Sequence, residues 1–265
     1  MDFIIELNNI HNMCCLDGMA MIPDGSIDMI LCDLPYGTTA CYWDIKIPFE
    51  PLWAQYNRII KKNGAILLFS AQPFTTDLIN SNRKMFRYEI IWVKTLPVGF
   101  LNANKMPMRA HENILVFYKK LPTYNPIMRQ KEPTVIGYLP QKRGSNIQDG
   151  KGVYGRHEGQ IINVKDTGVR YPTSVINFSN KIASGCMGKT TTIHSTQKPV
   201  KLCEYLIKTY SNPDDIVLDN CMGSGSTAIA AMETGRRWIG FEKDYDIWGK
   251  AVKRIEGHTM QLNLL

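Results

Sequence analysis

The stretch IVLDNCMGSGSTAIAAMETGRRWIGFEKD, Ile216 to Asp244, constrains the fold of this chain more than any other. An apolar run ends in an acid, passes through a loop of small residues into an alanine-rich helix, and is followed by a second apolar run that also ends in an acid. That order is a strand-helix-strand unit, which builds parallel sheets with helices packed on their faces. Glycines in such a loop let the backbone approach a ligand closely, and the free N–H groups at the helix start favour a polar or anionic group. Glu242, at the end of the second strand, can accept hydrogen bonds from both hydroxyls of a ribose.

What the loop lacks narrows the ligand further. GSGST carries no lysine before its Ser or Thr, which argues against a nucleoside triphosphate. The dinucleotide spacing GxGxxG is also unmet, because Gly225 is followed by Ser226, Thr227 and Ala228. Asp219, at the end of the first strand, repels a pyrophosphate and suits an ammonium group. A ligand with adenosine at one end and an amino acid at the other fits these demands, which is S-adenosylmethionine. Asp219, Met222, Gly223, Ser224, Gly225, Ser226, Thr227 and Glu242 are its candidate contacts. A tight strand-helix turn without a ligand is the alternative.

A second motif lies far upstream. IDMILC, Ile27 to Cys32, reads as a buried strand and ends in DLPYG. Methyl transfer to an aromatic amine is slow because the nitrogen lone pair is conjugated into the ring. Two acceptors that hold the N–H bonds and bend the nitrogen towards tetrahedral geometry free that lone pair for in-line attack. The Asp33 carboxylate supplies one acceptor and the backbone carbonyl of Leu34 the second. Pro35 keeps Leu34 extended, and Tyr36 offers a ring for a base to stack on. Taken alone, the same four residues are ordinary turn chemistry.

Short apolar runs alternate with helical patterns over residues 1–120. Strands are expected at Asp28–Cys32, Ala65–Phe69, Tyr88–Val93 and Glu112–Tyr118, with helices over Pro51–Lys62 and Pro73–Ser81. The pattern fails from Leu121 to His194, a stretch rich in Pro, Gly, Asn and Gln, and we expect an inserted subdomain or a surface-wrapping extension there. Alternation resumes with a helix over residues 197–211, and then come strand Ile216–Asp219, helix Thr227–Thr234, strand Arg237–Phe241 and a last helix from Tyr245 to Ile255.

Charge follows this division. Residues 83–120 hold eight Lys and Arg against two acids, and residues 121–194 hold ten against four, while residues 1–82 are net acidic. A concentrated basic segment suggests a polyanion partner, with a solvated lysine-rich face as the plain alternative. The seven cysteines form no CxxC pair, so we expect packing thiols in a reduced compartment and no metal. No window has the run of roughly 18 apolar residues that a membrane helix needs, and the first residues show no secretory pattern, so no membrane partner and a cytoplasmic location are expected.

DLPY near the N-terminus, a polar insert, TQKP and then DNCMGSGST together resemble the S-adenosylmethionine-dependent DNA amino-methyltransferases of the β group, in which the catalytic motif precedes the cofactor motif. The resemblance covers residues 8–120 and 195–256. It implies an α/β, Rossmann-like class I methyltransferase with a mostly parallel seven-stranded sheet, helices on both faces and an inserted target-recognition region. Residues 1–120 then form the catalytic part, 121–194 the target-recognition region and 195–265 the cofactor-binding part. The family's DPPY falls on Asp33, Leu34, Pro35 and Tyr36, and its HxTxKP on His194, Thr196, Lys198 and Pro199. By resemblance, that last segment packs over the methionine end of the cofactor. The chain departs from the family pattern at Leu34, at Asn220-Cys221, and at Cys14, where an adenine-contacting acid or amide is usual.

The resemblance further implies a bacterial or phage-encoded enzyme that flips a base out of duplex DNA, with adenine favoured because the first motif residue is Asp rather than Ser. Arg129, Lys142, Arg143, Arg156 and Arg170 are then candidate DNA contacts. Cytosine-N4 methylation, methylation of a protein amide and a catalytically silent DNA-binding role are the rivals, and a homodimer stays open.

Overall fold

The structure, a computed structural model, describes residues 5–38, 41, 44–130, 168–180 and 197–262. It divides into two units, residues 1–125 with 173–265, and residues 126–172.

The larger unit is built around one sheet. Its first half runs β1 (Asn9–Asn12), α1 (Cys15–Ala20), β2 (Ile27–Cys32), α2 (Phe49–Ile59), β3 (Ile60–Ser70), α3 (Phe74–Ser81), β4 (Phe86–Val98) and β5 (Arg109–Phe117). The smaller unit contributes β6 (Arg129–Gln130) and β7 (Val169–Arg170), which pair with each other antiparallel. The larger unit then continues with β8 (Val175–Phe178), α4 (Val200–Tyr210), β9 (Ile216–Asp219), α5 (Ser226–Glu233), β10 (Arg237–Glu242) and α6 (Tyr245–Leu262).

The sheet order is β1-β10-β9-β2-β3-β5-β4-β8. Only β5 runs against its neighbours, β3 and β4; the other pairings are parallel. This is a Rossmann-like sheet with one strand more than the seven expected. The addition is β8, a four-residue edge strand in a segment too polar to read as one. The expected helix over Pro51–Lys62 also needs correction. It stops at Ile59, and Ile60, Lys61 and Lys62 already belong to β3.

Burial on both faces explains why the central strands read as continuous apolar runs. In β2, Met29 and Leu31 face a core layer with Leu202 and Leu206 of α4 and Ala228 of α5, while Ile30 and Cys32 face the opposite layer with Leu52, Trp53 and Tyr56 of α2. α1 packs so closely that a Cβ on Gly18 would lie 2.3 Å from the buried Phe241 ring. Gly18→Ala should therefore lose stability although alanine favours helix: a propensity gain of up to about 1 kcal/mol is outweighed by an overpacking cost of about 1–3 kcal/mol. Urea denaturation followed by circular dichroism checks this, and an unchanged or raised midpoint would show that α1 can shift.

The topology also decides where chemistry can gather. β1, β10, β9, β2, β3 and β4 all end at the same edge of the sheet, and antiparallel β5 begins there, with Asn113 opposite Ser70 and Glu112 opposite Trp92. Ligands of open α/β sheets bind outside this carboxyl edge.

Candidate active site

Asp219 closes β9 at this edge and is 4% exposed. Its Oδ1 accepts from the Cys221 N–H at 3.1 Å, and Thr227 and Cys32 beside the carboxylate favour its charged form. Burial nevertheless pushes its carboxyl up to about 6. A carboxylate raised by desolvation gains from a cation beside it.

The chain then turns through Gly223 (φ +54°) and Gly225 (φ +81°), left-handed conformations that explain glycine at both positions. A Cβ on Gly223 would meet only the Cys221 carbonyl, at 3.9 Å, so the loop stands clear of neighbours on that side. Gly225 precedes the first turn of α5. Glu242, at the end of β10, accepts from the Gly223 N–H and from the Asp244 N–H, both at 2.9 Å. Burial raises its carboxyl and these amides partly offset the rise. Two acids thus flank a loop of small residues, and the set fits a ligand with an ammonium at one end and a ribose diol at the other.

Sequence reasoning missed what supports this loop. Arg254 of α6 donates to the Ser224 carbonyl at 2.7 Å and to the Ser226 hydroxyl at 3.1 Å. The Tyr56 hydroxyl donates to Asn220 Oδ1 at 2.6 Å. Cys15 and Cys32, expected only to pack, both lie beside the Cys221 thiol, and Cys221 draws the Cys15 thiol down to about 7.

The DLPYG segment follows β2 at the same edge. Tyr36 Oη donates to Asp33 Oδ1 at 2.8 Å, and the ring stacks on Phe74 with centroids 4.8 Å apart. Lys198 Nζ donates to Asp33 Oδ2 at 2.5 Å, so both oxygens of the carboxylate are engaged. The Leu34 side chain is buried, and its carbonyl accepts no hydrogen bond among the described residues. Asp44 holds the following turn by accepting from the Gly37 and Thr38 N–H groups at 2.8 and 2.9 Å.

Lys198, which the resemblance sets over the methionine end of the cofactor, is placed between Asp33 and Glu112. Its Nζ lies 3.3 Å from Glu112 Oε2, a buried atom that makes no hydrogen bond, and 5.2 Å from the centroid of the Phe69 ring. Glu112 Oε1 is paired with Lys94. Burial alone raises the Glu112 carboxyl, but Lys198 and Lys94 outweigh it and hold the group below its usual range. Burial likewise opposes the Lys198 charge, and Asp33 and Glu112 more than restore it.

One cavity of about 940 Å³ joins the two motifs. Asp33 and Tyr36 line it together with Lys198, Asp219, Gly223 and Glu242. Leu34, Pro35, Cys14, Met222, Ser224, Ser226 and Thr227 are also on its wall, while Gly225 is not. Thr196, Lys142, Arg143 and Arg156 lie outside the described residues. Arg129 and Arg170 face each other across the β6–β7 rung, where Arg129 Nε donates to the Tyr171 carbonyl at 3.1 Å. Among the described residues no group of three His, Cys, Asp or Glu side chains is placed to hold a metal, and no helix is long and apolar enough to cross a membrane.

A mostly parallel sheet between helical layers, with an acid-flanked glycine loop at its carboxyl edge, defines a class I S-adenosylmethionine-dependent methyltransferase. The chain belongs to the DNA methylase family of N6 and N4 methyltransferases, which it matches over residues 27–253. It is 27% identical to the type II methyltransferase M1.MboII of Moraxella bovis, over 94% of this chain and 96% of that relative. Among solved structures, the PvuII DNA methyltransferase (cytosine-N4-specific) superposes with a TM-score of 0.65 at 16% identity, over 99% of this chain and 95% of the other. The M1.HpyAVI-SAM complex superposes with a TM-score of 0.57 at 22% identity, over 93% and 98%. At these identities the two structures speak for the fold.

Proposed function

We propose that the protein methylates the exocyclic N6 amine of adenine in double-stranded DNA after flipping the base out of the helix. The observation that carries this reading is one cavity on whose wall Asp33 and Leu34 stand together with residues of the glycine loop. S-adenosylmethionine, when bound, supplies an electrophilic sulfonium methyl. Asp219 would hold its ammonium and Glu242 its ribose, with Met222, Gly223, Ser224, Ser226 and Thr227 lining the way between, Gly225 shaping the turn behind them and Cys14 beside the adenine.

The chain's own residues do the rest. Asp33 and the Leu34 carbonyl accept the two N–H bonds of the target amine and direct its lone pair into the cavity. One face of the Tyr36 ring is taken by Phe74, which leaves the opposite face for the base. Both Asp33 oxygens are occupied while no base is present, so Lys198 acts as a placeholder. Arrival of the amine displaces the ammonium from Asp33 towards Glu112 Oε2, the buried acceptor 3.3 Å away. The proton of the methylated amine can leave after transfer, so no separate strong base is required. The basic insert, residues 121–194, would supply target recognition, Arg129 and Arg170 among its DNA contacts.

Asp219 sets a pH limit. Its carboxyl is raised to about 6, so it is charged above that pH and neutral below it, whereas the cofactor ammonium stays charged throughout. Cofactor affinity should therefore weaken as pH falls through 6, approaching about tenfold per pH unit. Titration calorimetry of wild type and Asp219→Asn checks it: the variant should bind weakly without this slope, and a slope shared by both would assign it to another group.

The target base is tested by incubating the protein with unmodified DNA and methyl-labelled cofactor, then separating the nucleosides. Label in N6-methyladenine is the expected result. Label in N4-methylcytosine would overturn the adenine assignment and leave the DNA methyltransferase in place.

A further inference from the structure

We propose that the tip of the β4–β5 hairpin, with Phe100 and Leu101 at its apex, enters the DNA duplex and fills the space the target base vacates. This rests on the base-flipping reading above. Trp92, Lys94 and Glu112 of the hairpin stem line the active-site cavity, as do Val98 and Arg109, its last paired rung. Beyond that rung the chain continues past the cavity wall for residues 99–108.

The tip is apolar and exposed. Every residue from 95 to 107 is exposed; Phe100 is 78% and Leu101 92% exposed. Gly99 (φ +97°) turns the chain into a single 3-10 turn, Phe100–Asn102, closed by bonds from the Asn102 N–H to the Gly99 carbonyl and from the Ala103 N–H to the Phe100 carbonyl, each 3.0 Å. Below it, the Asn180 side chain accepts from the Leu96 N–H at 2.8 Å and donates to the Leu96 carbonyl at 2.9 Å. Large apolar groups displayed on a braced turn mark a binding surface.

Charge selects the occupant. Residues 95–109 contain Lys105 and Arg109 and no acid, which suits a partner with an anionic exterior and a flat apolar interior, as stacked DNA has. A symmetric contact with a second copy of the chain would instead set these cations against themselves. Apolar side chains that wedge between base steps offset part of the unstacking cost of extruding a base.

The test uses Phe100→Ser with Leu101→Ser, both at exposed positions where folding should be unaffected, with circular dichroism as the check. Two duplexes carry the methylation site found for the wild type, one fully paired and one with an abasic position opposite the target base. The double variant should transfer methyl to the paired duplex about ten- to a hundredfold more slowly and to the abasic duplex at close to the wild-type rate, because there the base is already unpaired. Unchanged transfer to paired DNA, or an equal loss on both duplexes, would overturn the proposal. So would conversion of a wild-type dimer to a monomer in sedimentation, which would assign the tip to a second copy. Failure of the wild type on both duplexes would instead sink the functional reading beneath it.

Discussion

Asp33→Ala is expected to slow methyl transfer to DNA by about 10³-fold while leaving cofactor affinity nearly unchanged. The carboxylate is one of two acceptors proposed to orient the target amine, and its side chain makes no hydrogen bond to the glycine loop; its hydrogen-bond partners are Tyr36 and Lys198. Without it the amine keeps its lone pair in the ring, and the Leu34 carbonyl alone cannot hold both N–H bonds. The variant should remain folded, because Lys198 keeps Glu112 as a partner. Single-turnover kinetics with calorimetric cofactor binding separate the two effects. A large loss of cofactor affinity would mean that Asp33 serves the methyl donor instead.

The second large effect is expected at Lys198. Lys198→Met should lower kcat by about 10²-fold, because Asp33 loses the contact that orients it until the amine arrives and the cavity loses the cation that then passes to Glu112. Cofactor affinity should again hold. That split separates two roles for this lysine: holding the methionine end of the cofactor, as the family resemblance implies, or holding Asp33, on which its Nζ rests. A raised cofactor Kd with unchanged kcat would favour the first. Glu112→Gln should act in the same direction more weakly, since Asp33 still anchors the ammonium.

Both effects concern residues whose motifs were readable but whose partners were not. IDMILC and IVLD announce themselves because both faces of these strands are buried, and the acids that end them fall at the carboxyl edge because the strands are parallel. β1 and β8 gave no such signal: NIHN and VINF are four-residue edge strands with polar positions. The end of α2 was misread because Ile60, Lys61 and Lys62 extend a helical pattern, while pairing with β2 takes Ile60 into the sheet.

Within the site, DLPY and GSGS were legible as motifs because turns and close ligand approach demand particular residues. The Lys198–Glu112 contact joins residues 86 positions apart across two elements, and the Tyr36–Phe74 stack joins a loop to a helix, so no local pattern records either. Arg254 lay hidden for another reason: in KAVKRIEGH it looks like one of several solvated cations, and only the packing of α6 carries it to Ser224.

Methylation of adenine in DNA by the DLPY cavity is the central claim. Single-molecule sequencing of DNA from cells expressing either the wild-type protein or Asp33→Ala tests this most directly. The account predicts N6-methyladenine at one recurring short sequence with the wild type and none with the variant. An unmodified genome with the wild type, or modification that persists in the variant, would contradict it.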